Sequence, residues 1–160
     1  MSAVISACQT YRYDLRRGGY DPMPFVMLNP STADANSDDP TIRRCLGFAK
    51  RENKNGIVVR NLYARRTKDP AVLFALKKIG HDIVGAENDT WLRLLGEQYP
   101  RIVCAWGANA EIERVKEVVA ILNQTSKLVC FGQTKTGQPR HPLYLKADIP
   151  LVEFDVELLK

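Results

Sequence analysis

The chain has 160 residues, of which 45% are hydrophobic, 26% charged and 8% aromatic, a balance that fits one soluble globular domain and excludes disordered, collagen-like and disulfide-dense proteins. A chain of this length buries roughly 70% of its unfolded surface, enough for a sheet covered by helices without staples or metal. The net charge of +5 is unevenly spread: from Arg43 to Lys78 eleven basic side chains accompany two acidic ones, a local net of +9 that favours a polyanionic partner or, more simply, solvated helix exteriors.

Near the N-terminus, Tyr11–Leu15 and residues near Val4 suit an antiparallel hairpin at a sheet edge. Pro24–Leu28 is an apolar run of the kind that forms a buried strand. Asp39 and Pro40 then read as cap and first position of a helix. In it Ile42, Cys45, Leu46 and Ala49 recur at helical spacing and Arg43, Arg44, Lys50 and Arg51 lie largely outside. Gly56–Arg60 is the second strand. Pro70 opens a helix through about Lys78, and another runs from about Val84 to Gln98 with Trp91, Leu92 and Leu95 as its stripe. Arg101–Ala105 is the third strand, and a helix over about Ala108–Leu122 carries Ile112, Val115, Val119 and Leu122 on one side. Lys127–Phe131 is the fourth strand, and Pro150–Phe154 a weak strand or tail. This alternation predicts a three-layer α/β/α domain over residues 1–160, with a central four-stranded, mainly parallel sheet and right-handed crossovers.

In open parallel sheets ligands bind beyond the carboxyl ends of the strands, so the residues following each run are the candidates for function. Asn29-Pro30-Ser31-Thr32 follows the first strand, Asn61-Leu62-Tyr63 and Arg65-Arg66 the second, Trp106-Gly107-Ala108-Asn109 the third, and Pro139-Arg140-His141-Pro142-Leu143-Tyr144 lies beyond the fourth. Two asparagines, a histidine and several arginines therefore converge on one rim. Each also has a simpler role: Asn29 before proline shapes a turn and Asn61 caps a strand end. His141 lies in a polar loop rather than on an apolar stripe.

The motifs YRYxLxR, LNPSTAD, DPTIRR and PRHPLYL together resemble those of a family of bacterial and phage proteins of unknown function. More distantly, the chain resembles the uracil-DNA glycosylase superfamily. Leu28-Asn29-Pro30-Ser31 is similar to the first active-site motif of its mismatch-specific and thymine-directed branches, and His141-Pro142-Leu143 to the second motif. Asn61 occupies the place of the asparagine that reads the base, and Trp106-Gly107-Ala108 is similar to the end of the third strand. Ser31 and Leu143 depart from the residues usual at their positions. The resemblance implies a glycosylase-like fold and base recognition, with nucleic acid or nucleotide as partner.

On this reading Asn29 and His141 form the catalytic set, Asn29 positioning water and His141 donating to the departing base, a contribution of ~10²–10³ per donor. Asn61 recognises a base edge through its donor and acceptor. Tyr63 or Tyr144 stacks on the base and Ser31 completes the base site. Arg43, Arg44, Arg65, Arg66, Arg140 and Thr32 hold phosphates. No cofactor is expected. Three alternatives stay open: binding of nucleic acid or a modified nucleotide without hydrolysis, a Mg²⁺-dependent phosphohydrolase built on Asp34, Asp38 and Asp39, and an interaction module using the basic face.

Cys8, Cys45, Cys104 and Cys130 are widely spaced, without zinc-ligand patterns, and read as reduced thiols. No apolar run suits a signal peptide or membrane span, so a cytoplasmic location without an obligate protein partner is expected.

Overall fold

The computed structural model describes residues 1–31 and 35–160. Among these residues seven strands form one mixed sheet: β1 (Ser2–Ile5), β2 (Arg12–Gly18), β3 (Pro22–Met27), β4 (Gly56–Asn61), β5 (Arg101–Cys104), β6 (Lys127–Cys130) and β7 (Val152–Glu153). Their spatial order is β1-β2-β4-β3-β5-β6-β7. Four helices accompany them: α1 (Pro40–Arg51), α2 (Pro70–Lys78), α3 (Asn88–Gln98) and α4 (Ile112–Leu122).

The four strands expected from the sequence are the parallel centre, β4-β3-β5-β6. The sheet is larger than that expectation: β1 and β2 extend it antiparallel beyond β4, and β7 adds an antiparallel strand beyond β6. The hairpin expected from Tyr11–Leu15 and residues near Val4 is β1 with β2, but only β1 is an edge: β2 pairs on both sides and buries Arg12, Asp14 and Arg17 instead of alternating apolar and polar residues. Asp14 and Arg60, each at most 3% exposed, pair at 2.7 Å across β2 and β4. The Arg60 guanidinium also lies 5.0 Å from the Trp91 ring centre and donates to the Trp91 carbonyl, which ties the sheet to α3. Tyr11–Leu15 thus belongs to an interior strand, and β1 is the edge.

Alternation along the central strands sorts two cores. Phe25 and Met27 of β3 pack with Ile57 and Val59 of β4 against Ile42, Cys45, Phe48 and Ala49 of α1. Val26 and Val58 face the opposite way, toward Leu73 of α2, Leu92 and Leu95 of α3, and Val115, Val118 and Leu122 of α4. Helix α1 therefore covers one face and the other helices cover the second, giving the expected three layers. Phe48, rather than Leu46, holds the inner position on α1.

Local chemistry sets the helix starts. Asp39 caps α1 by accepting from the Ile42 N–H at 2.9 Å, and Asp69 caps α2 through the Ala71 N–H at 2.8 Å; a proline follows each cap. Helix α3 begins later than expected, because the Ile83 and Val84 carbonyls accept from the Arg65 and Ala64 N–H groups and Gly85 takes φ +93°. Helix α4 also begins late: Gly107 turns at φ +78° and the chain runs on through Ala108 and Asn109 before the helix opens.

Candidate functional site

Strand β3 lies between β4, reached through α1, and β5, reached through helices on the other face. The order reverses there, and such switch points leave a crevice at the carboxyl ends of the strands. A cleft of about 490 Å³ occupies it. Met27 and Val59 form its apolar depth, and above them Asn29, Asn61, Gly107 and His141 arrive from the ends of the four parallel strands. The three polar residues singled out from the sequence therefore share one cavity.

Asn29 is fixed by its neighbours. Its Nδ2 donates to the Arg65 carbonyl at 3.1 Å and to Thr67 Oγ1 at 2.9 Å, tying the loop after β3 to the loop after β4. Since the amide nitrogen is held by protein acceptors, its carbonyl oxygen is the atom left for chemistry.

Asn61 is in the opposite condition. Its side chain lines the cleft at 1% exposure, and both Oδ1 and Nδ2 are buried without a hydrogen-bond partner among the described residues. An unsatisfied buried polar group costs about 1–3 kcal/mol, so two on one amide are expensive unless a ligand completes them. The parallel register sets Asn61 beside Met27 at the last rung of β4, where an inward side chain meets the cleft instead of the helix.

His141 precedes a short 3-10 turn, Pro142–Tyr144, and its Nδ1 accepts from the Leu143 N–H at 3.2 Å. In the neutral ring the proton then resides on Nε2, which makes that nitrogen a donor. Burial lowers the His141 pKa below its ordinary 6.5, partly opposed by the Asp39 carboxylate, so the ring is neutral at pH 7. A Cβ on Gly107 would stand 3.3 Å from the His141 Cβ, so glycine there serves both the positive φ and the approach of the imidazole. Trp106 is buried as a wall, its indole donating to Gln138 Oε1 at 2.7 Å.

Ser31 also lines the cleft, where its hydroxyl donates to Asp39 Oδ2, and the exposed Tyr144 stands at the rim. Tyr63, expected to stack on a base, is placed differently: it is buried, packs edge-on against Phe74, and its hydroxyl accepts from the Glu111 N–H at 3.2 Å. It braces the start of α4. Thr32 lies outside the described residues.

The arginines assigned to phosphates do not line the cleft. Arg43 donates to the Asp38 carbonyl, Arg66 to the Gln9 carbonyl, and Arg44 lies over the Phe48 ring and donates to the Pro142 carbonyl. Arg65 joins Tyr11 in an antiparallel bridge, and Arg140 borders a neighbouring depression. The basic block is divided between both faces of the sheet, because α1 and α2 lie on opposite sides.

Sequence reasoning assigned no role to four polar residues that do line the cleft: Arg12, Lys68, Thr67 and Asn109. Burial lowers the Arg12 pKa to about 10, with Asp39 acting against the shift, so the guanidinium stays charged at neutral pH. The signal for Arg12 was the YRYxLxR motif itself, in which basic residues occur within a strand. Of the proposed metal carboxylates, Asp38 pairs with Arg17, Asp39 caps α1, and Asp34 lies outside the described residues. Among the described residues no group of three His, Cys, Asp or Glu is placed to hold a metal ion. Likewise, no helix among them is long and apolar enough to cross a membrane.

Fold and cleft together define an α/β protein with a polar pocket at a topological switch point. The chain belongs to the family described as "Protein of unknown function (DUF1643)", whose profile matches residues 12–143. No curated protein and no solved structure matches it.

Proposed function

We propose that the cleft recognises a nucleobase and supports glycosylase-like hydrolysis of an N-glycosidic bond in a nucleotide or nucleic acid. The observation that carries this reading is Asn61, whose buried donor and acceptor both await partners in the cleft that also holds Asn29 and His141. A base edge presenting an adjacent acceptor and donor satisfies both atoms, whereas an apolar ligand satisfies neither.

The division of labour follows from the hydrogen bonds. The Asn29 carbonyl oxygen accepts from a water molecule and aims it at the anomeric carbon. Attack of that water breaks the C–N bond and the electron pair departs on the base, whose developing negative charge meets the His141 Nε2–H; the proton shed by the water ends on the base, which leaves neutral. A neutral imidazole suits this work, since it already carries the required proton. Asn29 is not a strong base, so the reaction suits a slow enzyme or an easily expelled base. A uracil-DNA-glycosylase-like fold accords with the strand placement of the Asn-Pro and His-Pro motifs. The runner-up reading is binding without hydrolysis, favoured by the occupation of the Asn29 amide nitrogen and of the Ser31 hydroxyl by protein partners.

The test couples calorimetric titration with ribo- and deoxyribonucleotides to chromatographic detection of free base. Under the glycosylase reading His141→Ala lowers turnover far more than affinity. Binding without released base selects the runner-up. If no nucleotide binds, or binding survives Asn61→Leu, the nucleobase reading fails.

A further inference from the structure

We infer that the cleft is the middle of a track for a single-stranded polynucleotide that crosses the carboxyl edge of the sheet, with Tyr144 stacking on the base next to the one held in the cleft. This rests on the nucleobase reading and names its polymer.

Two residues carry the continuity. Tyr144 lines the cleft and also a second depression of about 420 Å³, where Arg140 and Lys146 accompany Asp148. Asn109 lines the cleft and a third depression of about 320 Å³, where Lys77 and Lys78 accompany Glu111. The Tyr144 depression adjoins the α1 face, through Leu145 and Ile149, and the Asn109 depression adjoins the α2 face, through Phe74. The cleft is thus flanked on both sides. Lys77 is held by Glu111 at 2.7 Å, which leaves Lys78 as the cation facing a ligand on that side.

Each depression therefore offers a cationic excess, as a chain of phosphates needs, and the rim between two of them bears an aromatic ring 92% exposed to solvent. A ring so exposed contributes nothing to the core, and burying it against a base recovers its apolar area. Basic grooves interrupted by exposed aromatics are the general means of holding single strands, since every base has a face on which to stack. A mononucleotide filling the cleft alone would touch neither Lys78 nor Lys146. An acidic protein segment would use the lysines but has no use for the buried amide of Asn61.

The test is fluorescence anisotropy with labelled DNA and RNA oligomers of about 10 nucleotides, within the usual span of single-strand sites. Competitors are the same duplex, a mononucleotide and polyglutamate. At least one oligomer should bind more tightly than the mononucleotide, and the two arms separate DNA from RNA. Tyr144→Ala should weaken oligomer binding roughly 5- to 150-fold, and Tyr144→Phe should restore it. Arg140→Gln with Lys146→Gln should flatten the dependence of log affinity on log salt by about 1.4. The track is overturned if oligomers bind no better than the mononucleotide, if Tyr144→Ala is silent, or if duplex or polyglutamate competes as well as the single strand. Asn61→Leu separates the two readings. Oligomer binding that depends on Tyr144 but ignores Asn61 supports the track and defeats the nucleobase cleft, whereas mononucleotide binding that needs Asn61 without any gain from length does the reverse.

Discussion

Asn29 Nδ2 donates to Thr67 Oγ1 at 2.9 Å, and Thr67 Oγ1 in turn donates to the Asp69 carbonyl at 3.2 Å, where Asp69 caps α2. The Asn-Pro turn is thereby locked to the start of a helix on the opposite face of the sheet. Fold stability and, under the proposed mechanism, the placing of water share this one amide. Asn29→Ala should lower unfolding free energy by about 1–3 kcal/mol, because acceptors around the site lose their donor. Asn29→Asp should cost more, since a carboxylate would face the Arg65 carbonyl, whereas Thr67→Val should cost about 1 kcal/mol. Urea midpoints at constant m-value would measure all three, and an unchanged midpoint for Asn29→Asp would contradict the assignment.

The Asp14–Arg60 pair is the second hinge of the architecture. Both charges are buried, so Asp14→Asn strands the Arg60 guanidinium and should cost about 3–5 kcal/mol, whereas Arg60→Met leaves Asp14 its second pair, with Arg16 at 3.0 Å, and should cost less. Replacing both, as Asp14→Leu with Arg60→Met, should recover much of that loss, because desolvation offsets a large part of the attraction between buried charges. A double-mutant cycle in denaturant gives the coupling directly. Additive losses would mean that the two side chains act independently.

Much of the fold was readable because the central strands are apolar runs ending in polar residues. Asn61 was visible as the amide that closes a fully buried strand, and Asn29 and His141 as the polar members of proline turns. Arg12 was hidden by the same rule. Periodicity assigns a charged residue in a strand to solvent, yet β2 is flanked by β1 and β4 and buries Arg12, Asp14 and Arg17. The basic block misled in the same way. Its sequence density says nothing about facing: Arg60 lies inside the fold, Arg44 rests on Phe48, and α1 and α2 send their cations to opposite faces. Gly107 and Gly85 moved two helix starts, because a positive φ ends one segment before apolar spacing can extend the next.

The half-buried imidazole of His141 gives the protein a pH-dependent stability with a definite sign. The His141 pKa is lower in the folded chain than its ordinary 6.5, so below that value the unfolded chain takes up the extra proton. The contribution is fully present above 6.5 and is lost as the pH falls through the folded value. Unfolding free energies of the wild type and of His141→Gln, compared between about pH 5 and about pH 7.5, should converge on acidification. A difference that is constant with pH would place the imidazole in water instead.

The unsatisfied amide of Asn61 predicts a conflict between stability and binding. Its two buried atoms have no hydrogen-bond partner among the described residues, so Asn61→Leu should stabilise the protein by about 1–2 kcal/mol, the leucine filling space that the cleft provides. The same substitution removes the donor and acceptor offered to a base, and nucleotide affinity should fall by about tenfold or more, as loss of one well-made polar pair implies. Thermal unfolding and calorimetric titration on the same two proteins test both halves. A stabilised, non-binding variant identifies Asn61 as a residue kept for its ligand. A destabilised one shows that the amide serves the strand end, as a cap.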